Sequence, residues 1–141
     1  MRKELSMARS LIYTYNPTAG AVAAGGVVPM GGTGAIVRRY GGCVNAGQNG
    51  ITLSGEGYYT VSPVVTAVAA AAGSISATLY QDGTPVPGAV VTDTATAGGT
   101  VTLAVPPSAV RVRCSCAQSV LTVVLSAAAT ASTISALVTK E

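Results

Sequence analysis

The chain contains no histidine, tryptophan or phenylalanine, and only 9% of its 141 residues are charged. Each shortage excludes something. Without histidine, neither a Ser-His-Asp nor a Cys-His mechanism can be assembled within one chain. Zinc normally takes four ligands from spaced pairs such as C-x-x-C, and three cysteines without such a pair do not supply them. The acidic residues are Glu4, Glu56, Asp82, Asp93 and Glu141, and no spacing among them marks a carboxylate pair for acid–base work. The glycine-rich stretches lack the Lys-Ser/Thr ending of a phosphate loop. The expectation is a chain that is not an enzyme and needs no cofactor or metal.

Other absences concern partners. The eight basic residues form no run and are not interleaved with aromatics, so nucleic acid is not an expected partner. The apolar run Ala67 to Ala72 is far too short to cross a bilayer, and membrane insertion is not expected. No apolar run of signal-peptide length follows the charged start MRKELSMARS, which argues against conventional secretion. Met7 has the look of a second translation start. A soluble monomer commonly carries about a quarter charged residues. So bland a surface implies that partner subunits cover much of it.

What is present is strand. Val, Ile, Thr and Tyr recur in short runs broken by Gly, Pro, Asn and Asp, near 10–15, 20–28, 35–40, 50–54, 57–68, 74–81, 87–94, 99–105, 109–116, 119–126 and 132–139. Many short strands between turn signals point to an all-β sandwich or barrel. Asp82-Gly83 suits a tight hairpin turn, Gly98-Gly99 separates two strands, and Pro106-Pro107 stops the second of them. Period-2 alternation places Tyr59, Val61, Val65, Leu79, Val101, Leu103, Val112, Cys114, Leu121, Val123 and Leu125 inward. Residues 16–34 are mostly Gly and Ala, so 1–40 reads as an N-terminal arm or attachment segment and 41–141 as the folded domain.

The stretch VRVRCSC, residues 110–116, carries two of the cysteines. Alternation puts Val110, Val112, Cys114 and Cys116 on one face and Arg111, Arg113 and Ser115 on the other. Buried thiols in an ordinary strand are the simplest account. A disulfide from Cys43 to one of the other two is the alternative; Cys114–Cys116 would need a bulge, being about 6.5–7 Å apart in an extended strand.

The order of motifs carries a resemblance. ITLSGEGYYTVS (51–62), then SATLYQDG (76–83), then Ala89–Ala97, Thr100–Val105 and Val110–Cys114, resembles the jelly roll of the tumour-necrosis-factor and complement superfamily over about residues 50–139. Pro63 inside the GYYTV strand and the scarcity of aromatics depart from that pattern. With MARSLIYTYN, Ile36–Tyr40 and Ala136–Lys140, the whole chain also resembles small head-fibre and decoration proteins of bacteriophages. The resemblance implies an antiparallel jelly-roll β-sandwich that forms a homotrimer, bound to a major capsid protein or another virion protein and located in the virion. A receptor- or carbohydrate-binding module, with a host-surface glycan as partner, is the alternative; a spore-surface protein of the same fold is a third reading. The trimer interface expected is the uncharged face of one strand, Tyr58, Thr60, Ser62, Val64 and Thr66.

Overall fold

A computed structural model describes residues 10–113 and 118–140. Within them twelve strands run in chain order: β1 (Ser10–Asn16), β2 (Gly20–Val22), β3 (Ile36–Tyr40), β4 (Val44–Ala46), β5 (Ile51–Leu53), β6 (Gly57–Ala69), β7 (Gly73–Gln81), β8 (Thr84–Ala95), β9 (Thr100–Ala104), β10 (Ser108–Val112), β11 (Ser119–Leu125) and β12 (Ala129–Lys140). A short 3-10 turn (Gly32–Ala35) precedes β3. All pairings are antiparallel. One sheet runs β10-β6-β12-β1-β3, with β9 continuing the β10 position along β6 and β2 added to β12; the other runs β4-β5-β11-β7-β8.

The two sheets close on one core because the central strands β6, β12, β7 and β11 turn apolar residues inward at alternate positions. On β6 the odd residues from Tyr59 to Ala69 are buried and the even ones are not. Every residue expected inward is buried except Cys114, which with Ser115 and Cys116 lies outside the described residues, as does Met7. The turns follow their sequence chemistry. Asp82 at φ 53 and Gly83 at φ 82 both occupy the left-handed region that a tight I′ hairpin requires.

Pro63 sits inside a central strand, where a missing N–H normally breaks the ladder. Its carbonyl accepts from Val105 N at 3.0 Å. A strand residue directs its N–H and C=O to the same side. The absent donor therefore faces the interruption between β9 and β10, where Pro106-Pro107 leave no regular ladder. The missing donor is absorbed at that seam.

Residues 10–40 are a correction. They are not an arm outside the domain. β1 is hydrogen-bonded between β12 and β3, and Ile12, Val22, Val28 and Met30 are buried in the common core. From β2 the chain crosses to the second sheet, where Gly25 N donates to Leu125 O and Val28 N to Val123 O, both at 2.8 Å. It then binds Gln48 O through Met30 N at 2.8 Å before returning as β3. The Gly and Ala of this stretch allow it to run close along the open side of the sandwich while a few larger side chains plug the core. The boundary at residue 40 does not divide the fold; what precedes Ser10 lies outside the described residues.

Edges receive much of the scarce charge. β3 carries Arg38 and Arg39, β10 carries Arg111 with Arg113 just past its end, β8 has Pro85 and Pro87 near its start, and β4 is only three residues long. Charge, proline and brevity all discourage edge-to-edge pairing.

Among the described residues one inward hydroxyl is unsatisfied. Thr14 Oγ1 is buried without a hydrogen-bond partner. Thr14→Val keeps the shape and removes the orphan, so it should raise unfolding stability by about 1 kcal/mol. A chemical-denaturation midpoint that falls instead would show that the hydroxyl is satisfied in solution.

Candidate functional site

The outward face of the larger sheet is the most unusual surface of the molecule. Four strands build it. β6 contributes Tyr58, Thr60, Ser62, Val64 and Thr66; β12 contributes Thr133, Ser135, Leu137 and Thr139; β1 contributes Leu11, Tyr13 and Tyr15; β9 contributes Thr102 and Ala104. The register sets them in rows: Tyr13, Leu137 and Ser62 form one, and Tyr15, Ser135, Val64 and Ala104 the next. None of these side chains is charged. Arg38, beside Tyr13 on β3, and Arg111, beside Tyr58 on β10, stand only at the two margins.

The five residues expected at an interface all lie on this face, Tyr58 being 55% exposed and the other four half-buried. Alternation identified β6 but not its neighbours. The tyrosines and Leu137 belong to strands whose adjacency is a product of topology. Tyr13 and Tyr15 are 38% and 44% exposed, a large apolar investment in solvent for a chain with six aromatics.

Beneath the face, one end of the core holds a polar cluster. Tyr59 is fully buried, and its hydroxyl donates to Gly55 O at 2.5 Å and accepts from Gly55 N at 3.2 Å. Cys43, a free thiol, lies beside it, and a side chain at Gly55 would strike the Cys43 sulfur. Burial, then the nearby Cys43 charge, push the Tyr59 hydroxyl up to about 12, while the Gly55 N–H pulls the other way. The fold thus prefers the protonated phenol. Stability from this preference is complete below pH ~10, the unfolded value, and is lost as pH rises toward about 12. An ultraviolet titration should show a late phase approaching pH about 12, and Tyr59→Phe should remove it. A wild-type curve with every tyrosine near pH ~10 would contradict this arrangement. The cluster is a packed interior network, and the free Cys43 adds a thiol to no metal site: among the described residues no three His, Cys, Asp or Glu side chains could hold an ion.

Comparison with known proteins rests on structure alone. No family model matches the sequence, and no curated protein matches it. Solved structures do. The PRD1 vertex protein P5 superposes at a TM-score of 0.62 and 17% identity over 94% of this chain and 96% of that one. Murine APRIL at pH 5.0 superposes at 0.72 and 12% identity over 94% and 99%. The fold is the TNF-like jelly roll. Eiger TNF from S. frugiperda shares it, at 0.61 and 11% identity over 93% and 91%. The ten positions of that jelly roll are all present, five in each sheet, when β9 and β10 count as one interrupted strand and β2 as an addition. At these identities the likeness establishes architecture. Among the described residues the jelly roll carries no constellation for catalysis.

Proposed function

We propose that this chain is a non-enzymatic structural protein of a bacteriophage particle, assembled as a homotrimer and serving as a capsid decoration or head-fibre protein. The observation that carries the proposal is the outward face of β1, β12, β6 and β9, uncharged across its whole centre. Tyr58, Thr60, Ser62, Val64 and Thr66 lie at the interface, where hydroxyl and β-branched side chains allow three flat faces to pack around an axis. The likeness to a vertex protein supports a place on a particle.

The direction of attachment follows from charge. Arg38, Arg39, Glu56, Asp82, Arg111, Arg113 and Lys140 all lie in the half of the sandwich that holds Gly57 and the start of β1. The opposite end is closed by Ala70-Ala71-Ala72, Ala97-Gly98-Gly99 and Ala127-Ala128, with Asp93 the one described charge nearby. Ser10, the first described residue, lies at this charged end. That end contacts the capsid or another virion protein, and the alanine-rich end projects. Mass spectrometry of purified particles should find the chain at constant stoichiometry to the major capsid protein. Its loss on gradient purification of intact particles would overturn the assignment.

A further inference from the structure

Where β8 and β10, edge strands of opposite sheets, approach each other, two adjoining depressions of about 300 and 610 Å³ form a groove. Arg111 and Arg113 line one side, Pro85 and Pro87 the other, and Gln81 and Gln118 lie along its length. Both depressions are open to solvent along their length. Among the described residues neither guanidinium has a carboxylate partner; Arg111 is braced over the Tyr58 ring, 5.4 Å from its centroid. Asp82 also borders the groove, but its carboxylate is engaged, accepting from Val120 N and Ser119 Oγ, each at 2.9 Å. Two arginines against one occupied carboxylate leave the groove net positive.

The same geometry argues against a peptide strand as occupant. Pro85 and Pro87 have no N–H to offer on the β8 edge. On the β10 edge the Arg111 carbonyl already accepts from Gln81 Nε2 at 2.9 Å. Strand addition needs those backbone groups. What the groove offers is side-chain chemistry: guanidinium forks that match a carboxylate, the Gln118 amide and the Gln81 side-chain carbonyl oxygen for hydroxyls, and prolyl rings as an apolar wall.

We propose that this groove binds a carboxylate-bearing saccharide. The carboxylate lies between Arg111 and Arg113, and the less polar face of the sugar ring packs on Pro85 and Pro87. The groove meets the proposed trimer face at one point, where Arg111 stacks on Tyr58, while β8 contributes nothing to that face; a trimer indifferent to acidic sugars would leave the assembly reading intact.

The test is a nuclear magnetic resonance titration of the full ¹⁵N-labelled chain with the α-methyl glycoside of N-acetylneuraminic acid and with glucuronic acid. Galactose and inorganic sulfate are the comparison arms. Saturable shifts should appear at Gln81, Thr84, Arg111 and Gln118 with an acidic sugar. They should weaken with added salt, and by about tenfold or more in Arg111→Gln/Arg113→Gln. Arg113→Lys keeps the charge without the fork and should weaken binding less. Absence of saturable shifts, equal response to galactose, sulfate binding as tight as either acid, or an unaffected double variant would each overturn the proposal.

Discussion

If the proposed trimer forms through the outward face of the larger sheet, Val64→Asp is expected to leave a folded monomer. Val64 lies half-buried near the centre of the uncharged face, between Ser135 on β12 and Ala104 on β9. In a threefold assembly a carboxylate there meets two copies of itself in a region with no charged side chain to compensate. An uncompensated buried charge costs about 3–5 kcal/mol, and like charges add to that. The trimer dissociation constant should rise at least about a hundredfold. The monomer should keep its β-sheet circular dichroism, because the position faces away from its own core. Thr60→Asp should act in the same direction. Thr78→Asp, on the outward face of the smaller sheet, is the control and should leave the mass unchanged. A trimer that tolerates Val64→Asp would mean that another face lies on the axis.

Deleting residues 1–40 is expected to abolish folding, whereas deleting residues 1–9 should leave a cooperative transition. The longer deletion removes β1 from between β12 and β3, takes Ile12, Val22, Val28 and Met30 out of the core, and exposes the full length of a long strand edge. Ile12→Ala gives a graded version, with an expected loss of about 2–5 kcal/mol. A soluble, cooperatively unfolding 41–141 fragment would show that the first three strands are dispensable. Particle binding by the 1–9 deletion measures attachment separately from folding; retained binding would place the anchor elsewhere.

These two experiments mark where the sequence was transparent and where it was not. Alternation along GYYTVSPVVTAVA located both faces of β6 without ambiguity, since each face is chemically uniform over thirteen residues. The hairpin at Asp82-Gly83 was legible because its backbone needs the conformations those residues favour. The first forty residues misled because Gly and Ala dominate 16–34 and small residues carry little pattern. The signal that was present lies in SLIYTYN, whose alternate residues Ser10, Ile12, Thr14 and Asn16 are all buried. β4, three residues between glycine-rich turns, is too short to show a period. Gly50, next to β5, illustrates a constraint that only tertiary structure reveals: a Cβ there would lie 2.5 Å from Leu121 O, so β11 can approach only because the residue is glycine. The arginine groove was equally hidden. RVR in the sequence reads as the outward half of a strand, and only the folded sandwich sets those arginines opposite Pro85 and Pro87.

The assembly itself gives the most direct test. Sedimentation equilibrium of the unmodified full chain, at concentrations spanning three decades, should return a single species of three times 13.8 kDa. A stable monomer of 13.8 kDa would contradict the account.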